Sequence, residues 1–182
     1  MKHVTLEKLG FTRMAAETSI YYTSADSDIG LTIIATVVDD FLILAKNKIS
    51  MAEIKRRLST VWTISDKGPA KWMLNLRIRR DRPAGLLKLD QTVYIEKKLR
   101  EFNISHLPSK TLPMSPTLKL SSAMCPTDAR GIEEARKLPF RSRTGALNYL
   151  RLTRPDMCCT NSILSQFNKN WGRDHYDATT HA

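Results

Sequence analysis

Cysteine is scarce in this chain, and what little there is excludes several classes. Cys125, Cys158 and Cys159 are odd in number and lack the spacing of a metal-ligand set, so a disulfide-stapled fold is not expected. Reduced thiols in an intracellular protein are the simplest reading, and a zinc site drawing on His175 is the minor alternative. No uninterrupted apolar run approaches the roughly 18 residues a membrane helix needs. The segment Met1–Gly10 has Lys2 and Lys8 but no apolar stretch behind them, unlike a secretory leader. The expected location is therefore intracellular, in the cytoplasm or nucleus. Internal repeats and low-complexity tracts are absent too. What remains is an ordinary globular composition. The 182 residues are 42% hydrophobic and 26% charged, enough for one domain or one and a half.

The net charge of +11 is unevenly spread. Residues 1–45 hold 3 basic and 6 acidic side chains, for a net −3. Residues 46–110 hold 16 and 6, a net +10, and residues 111–182 hold 10 and 6, a net +4. A basic middle of this kind can neutralise phosphates and release their counterions. On charge alone, a well-solvated surface explains it equally well.

Hydrophobic periodicity outlines the elements. Ile20–Thr23 and Leu31–Val38 are rich in β-formers, and Phe41–Ala45 resumes the apolar pattern after Asp39 and Asp40. Apolar run, two carboxylates and apolar run predict a hairpin with the acids at its tip. Ser50–Trp62 has helical spacing at Ile54, Leu58 and Val61, with Ser50 and Glu53 placed as a capping box. Lys71–Arg80 alternates as a strand, with Trp72, Leu74, Leu76 and Ile78 on one face and Arg77 and Arg79 on the other. Leu86–Asp90 returns as its partner, and Gln91–Phe102 is a further helix. Pro108, Pro113, Pro116, Pro126 and Pro139 mark 105–139 as a linker or extended crossing segment. Two helices follow, over Arg141–Leu152 and Asp156–Phe167.

The Asp39–Asp40 pair carries the strongest chemical signal. Adjacent carboxylates between apolar strands repel one another, and a divalent cation relieves that repulsion. Mg²⁺ favours one or two carboxylates together with substrate phosphates. Asp-Asp at a turn is also common without any metal, so the residues alone leave both readings open.

The order of motifs narrows the choice. Val37-Val38-Asp39-Asp40 resembles the Tyr-Val-Asp-Asp box of copia-type reverse transcriptases. Asp66-Lys67-Gly68 with Trp72-Met73-Leu74, then Leu89-Asp90-Gln91 with Tyr94-Ile95, resemble segments that follow the box in that family. Thr111-Leu112-Pro113-Met114, Phe140-Arg141 through Tyr149-Leu150, Thr153-Arg154-Pro155-Asp156 and Leu164-Ser165-Gln166-Phe167 continue the resemblance in the family's order. Two departures stand out: Val37 replaces the tyrosine of the box, and Asn75 replaces a glycine.

The resemblance implies an α+β fold and a set of roles. Residues 1–48 would be a partial polymerase palm with the carboxylate hairpin. Residues 49–104 would be a thumb-like basic region with the second hairpin, 105–139 a Pro-rich linker and 140–182 a helical connection segment. Asp39 and Asp40 would be catalytic and hold Mg²⁺ or Mn²⁺, with Asp39 the direct ligand and Asp40 in support. Arg77, Arg79, Arg80, Arg82 and Lys88 would contact nucleic acid. The partners would be an RNA/DNA primer–template and deoxynucleotide triphosphates, with no membrane. The family's other metal-binding aspartate and its Leu-Tyr-Gly-Leu-Lys-Gln segment have no counterpart here. Asp26 and Asp28 lie roughly 25 Å from Asp39 if the intervening strand is extended at about 3.3 Å per residue. The expectation is thus a fragment of an RNA-directed DNA polymerase, inactive alone unless a partner chain supplies the missing palm and fingers. The alternatives are a basic nucleic-acid-binding remnant without catalysis, or a non-catalytic interaction module.

Overall fold

A computed structural model describes residues 2–182, with side chains from Thr5 onward. The fold is α+β, and it divides into two compact units, 1–73 and 74–182.

The first unit opens with helix α1 (Lys2–Lys8) and strands β1 (Thr12–Arg13) and β2 (Ile20–Tyr22). Strands β3 (Thr32–Val37) and β4 (Asp40–Ala45) and helix α2 (Lys48–Ser59) complete it. The strands form one antiparallel sheet in the order β1-β2-β3-β4. Opposed pairs Ile34–Ile43 and Thr36–Phe41 fix the register. Every second residue therefore turns inward, and Tyr21, Ile34, Phe41 and Ile43 meet Ile54 and Leu58 of α2 in a buried core. Trp62 closes one side, with its ring 5.4 Å from Phe41.

Helix α2 begins two residues before the expected Ser50. The side chain of Asn47 accepts the Ser50 N–H at 2.8 Å and is the cap. Glu53 does not close a capping box. It takes hydrogen bonds from Arg56 and Arg57 one turn on. Val61 falls beyond the helix end at Ser59.

The expected single strand Lys71–Arg80 is broken. Strand β5 is only Trp72–Met73, and β6 starts at Leu76 (Leu76–Asp81). Between them Leu74 and Asn75 both take positive φ, 49° and 58°. Such a pair reverses the chain in two residues, and asparagine is among the few side chains that accept that region. This is the physical meaning of Asn75 at a glycine position. The apolar/polar alternation runs on unbroken through the turn because Leu74 falls on an apolar position and Asn75 on a polar one.

Strand β7 (Leu86–Asp90) pairs antiparallel with β6. Helices α3 (Thr92–Glu101), α4 (Ala129–Arg136), α5 (Phe140–Leu150), α6 (Met157–Ser165) and α7 (Arg173–His181) follow. A short 3-10 turn, Ser122–Met124, and α4 lie within the Pro-rich stretch. Phe140, Leu147, Met157, Leu164 and Trp171 form the second core, with Phe140 and Trp171 stacked at 5.3 Å.

Several polar links hold this unit together. Buried Gln91 donates to the Tyr149 carbonyl at 3.1 Å and accepts from the Thr153 hydroxyl at 2.6 Å. It thereby ties the start of α3 to the end of α5. Arg143 is buried beside the rings of Phe102 and Tyr176, 5.4 and 4.3 Å from their centroids. Burial pushes its pKa down, and its faces are satisfied by aromatic rings rather than a carboxylate. Gly172 precedes α7 because a Cβ there would run into the Met124 carbonyl.

Candidate functional site

Asp39 and Asp40 sit at the free end of the β3–β4 hairpin, as the sequence predicts. Val37 pairs with Asp40, so Val38 and Asp39 alone make the turn. Asp39 lies in the turn and Asp40 begins β4 on the face away from the core, beside Val37. Both residues are exposed. Val38 has φ +48° and is 85% exposed. A β-branched residue in the left-handed region is strained, and such strain persists only where the surroundings impose it. Here the imposing feature is the register of β3 and β4, whose inner residues are locked in the core. The carboxylates therefore stand on a braced base.

Asp26 and Asp28 lie before the start of β3, at the opposite end of the hairpin from Asp39. Asp28 is engaged by the Arg57 guanidinium. Among the described residues no group of three or more His, Cys, Asp or Glu side chains is placed to hold a metal ion. His175 serves a different purpose. It is fully buried at the start of α7, where Nδ1 accepts the Gly172 N–H at 3.0 Å and the ring lies 4.0 Å from Phe167. The proton then sits on Nε2, and burial holds the imidazole below its usual pKa.

The five basic candidates gather on the β6–β7 hairpin of the second unit. Pairings Arg77–Asp90 and Arg79–Lys88 put Arg77, Arg79, Lys88 and Asp90 on one face. Arg80, opposite Leu87, points to the other face, and Arg82 lies in the connecting turn. Arg79 is bonded to Asp90 at 2.7 and 2.9 Å. That hydrogen bond is the main cause of a lowered Asp90 pKa. Arg80, Arg82 and Lys88 have no carboxylate partner among the described residues. The hairpin thus offers three uncompensated cations, while the charge of Arg79 is partly neutralised within the molecule.

Residues 2–116, a span that includes both hairpins, match the family described as reverse transcriptase (RNA-dependent DNA polymerase). The chain belongs to this reverse transcriptase family. It is 35% identical over 158 residues to the retrovirus-related Pol polyprotein from transposon TNT 1-94 of Nicotiana tabacum, covering 86% of this chain and 12% of that protein. It is 29% identical over 175 residues to the Pol polyprotein from transposon RE1 of Arabidopsis thaliana, covering 93% of this chain and 11% of that one. An uncharacterized mitochondrial protein of Arabidopsis thaliana is 33% identical over 129 residues, 71% of this chain and 50% of its own length. The chain therefore spans a small fraction of the polyproteins and half of the mitochondrial protein. No solved structure matches it. These relatives agree with the copia-type resemblance of the motifs. Gln91 and Thr153, from two of the motifs quoted above, touch in the fold through the Thr153 hydroxyl.

The polar residues between α5 and α6 form a feature that sequence reasoning misses. A signal is there in principle. Arg141, Thr144, Gly145, Asn148 and Arg151 repeat at helical spacing, a polar stripe running along a helix whose opposite side is core.

Proposed function

We propose that this chain supplies the carboxylate-bearing tip and part of the nucleic-acid grip of a copia-type reverse transcriptase. The parent activity is RNA-directed DNA synthesis by two-metal nucleotidyl transfer. The observation that supports this most is the seating of Asp39 and Asp40 at the end of a core-braced hairpin, inside the span matched to the family.

Exposed carboxylate oxygens are hard ligands that suit Mg²⁺ or Mn²⁺. When bound, divalent cations supply charge neutralisation on the nucleotide phosphates and activation of the primer hydroxyl. Asp39, at the apex, is the direct ligand, and Asp40 supports it from the first position of β4. The hairpin's task is positional, since the donors must hold still while substrate arrives. The β6–β7 hairpin contributes cations for the phosphate backbone within a thumb-like segment, 49–104. Residues 105–139 act as a crossing segment and 140–182 as a connection. The described residues offer only this pair of carboxylates at the tip, so a further ligand comes from another stretch of polypeptide or a partner chain.

Primer extension on an RNA template with Mg²⁺ or Mn²⁺ tests the reading, beside the Asp39→Asn/Asp40→Asn variant. The chain alone is expected to give no extension. Mn²⁺ should still broaden the magnetic resonances of the β3–β4 tip, and the variant should abolish that broadening. Extension that disappears in the variant would overturn the claim of incompleteness. Absence of any tip broadening would remove the metal reading. It would leave the second one, a basic nucleic-acid-binding remnant, which the cations Arg80, Arg82 and Lys88 favour.

A further inference from the structure

We propose that the outer edge of β4 pairs with the same edge of a second copy of this chain, antiparallel and in one register, with Ile43 opposite Ile43 and Asp40 opposite Lys46. The inference goes beyond the function proposed above and rests on neither metal nor nucleic-acid binding.

Among the described residues β4 is the last strand of its sheet, with β3 on one side and no strand on the other. The direction of its backbone groups follows from β3. The Thr36 N–H donates to the Ser19 carbonyl, and the Thr32 carbonyl accepts from the Thr23 N–H, so the even-numbered residues of β3 bond toward β2. Ile33, Ala35 and Val37 then bond toward β4, to Leu44, Leu42 and Asp40. The alternate residues of β4, Ile43 and Ala45 among them, direct their peptide groups to the open side. Such edges are normally blunted by proline, a bulge or a charge within the strand. Phe41–Ala45 has none of these, whereas β1 is only two residues long and β7 carries Lys88 at its centre.

The strand is complementary to its own reverse. With Ile43 set against its copy, Leu42 meets Leu44, Phe41 meets Ala45 and Asp40 meets Lys46. Asp40 and Lys46 are both exposed, and neither makes an ion pair among the described residues. The pairing joins them at both ends of the ladder, and opposite charges directly across two strands attract. Sliding one copy by two residues sets Asp40 against Leu44 or Lys46 against Leu42, so charge selects the register. Asp39 lies in the turn, outside the paired stretch. The core of the first unit is also unfinished at this edge. Tyr21 and Ile34, on β2 and β3, are fully buried, whereas Phe41, Ile43 and Ala45 on the same face of β4 stay partly exposed. Pairing carries that apolar layer across the two-fold axis, and on the opposite face it covers Leu44, which is 51% exposed. Each copy uses its one long open edge in this sheet, so assembly closes at two. A single pair of strands is small beside a standard interface, which makes the dimer dependent on concentration.

The test is sedimentation equilibrium of the full chain from micromolar to millimolar concentration, against the monomer mass of 20.7 kDa. The expected result is a monomer–dimer equilibrium that goes no further than two copies. Asp40→Lys sets two lysines face to face, and Lys46→Asp sets two aspartates face to face. Each should weaken the dimer roughly 5- to 10-fold, because two pairs change from attraction to repulsion. The double variant Asp40→Lys/Lys46→Asp should restore it to within about 3-fold of the wild type. Leu44→Lys, at an exposed position, should weaken the dimer and leave the urea midpoint of the dilute monomer unchanged. A single species of 20.7 kDa throughout overturns the proposal. So does a dimer indifferent to Leu44→Lys, which another face would have to form, and so does a double variant that dimerises no better than the single ones.

Discussion

Two hairpins carry the candidate site residues of this chain, and they differ in what stands behind them. In β3–β4 the inner residues Ile34, Phe41 and Ile43 are pressed onto α2, so the turn at Val38–Asp39 is held by a core. In β6–β7 the residues Leu86, Leu87 and Leu89 are about half exposed, and neither core of the described residues includes them. The difference suits the two kinds of ligand. A metal ion needs donors fixed to a fraction of an ångström. A phosphate backbone, recognised largely by charge, tolerates a less rigid support. Under the proposed reading, acid on the braced hairpin and base on the open one suit a metal ion and a phosphate backbone in turn.

The largest effect should come from cutting the brace. Ile34→Ala removes a fully buried side chain and is expected to cost about 2–5 kcal/mol. Leu87→Ala, at a residue 61% exposed, should stay within about 0.5 kcal/mol. Urea denaturation of the two variants measures both. Equal losses would mean that the second hairpin is buried against something in solution, and the contrast would fall.

The braced hairpin is also the more legible of the two in the sequence. Branched apolar residues on either side of Asp39 and Asp40 specify both strands and the turn, and the structure follows them to within a residue. Legibility ends where polar groups shape the chain. Asn47 escapes notice as the α2 cap because Ser50 and Glu53 imitate one. Leu74 and Asn75 hide a reversal inside an alternating pattern. Helix α7 buries His175, Ala178 and Thr179, a set with no apolar stripe, and so has no periodic signal.

A sharper contrast comes from salt. Replacing Arg80, Arg82 and Lys88 together with glutamine should reduce the slope of log affinity against log salt on duplex nucleic acid. The expected reduction is about 0.9 for each phosphate the hairpin no longer neutralises. Arg79→Gln should change it less, because Arg79 is already bonded to Asp90. Asp39→Asn should leave the slope unaltered. Titrations of a labelled duplex from low to moderate salt give all three slopes. An Arg79 effect as large as that of Arg80 would show that the Asp90 pair opens on binding.

The smallest expected effect is acid sensitivity. Glu53 is held down to about 2, chiefly by the hydrogen bond from Arg56 and then by that from Arg57. A carboxylate depressed in the folded state contributes stability above its unfolded pKa of about 4.5, and loses it as pH falls toward the folded value. The loss therefore belongs to the window from about pH 4.5 down to about 2. Because Glu53 is only partly buried and Arg56 is exposed, solvent screens the pair and the contribution is small. In the other unit Asp90 is lowered in the same sense by Arg79, so acid should loosen the surroundings of both hairpins. Thermal midpoints from pH 6 to pH 2.5 check this. Glu53→Gln should flatten the profile for the first unit and leave that of the second unchanged, and coincident profiles for wild type and variant would show that the Glu53 cluster adds nothing to the brace.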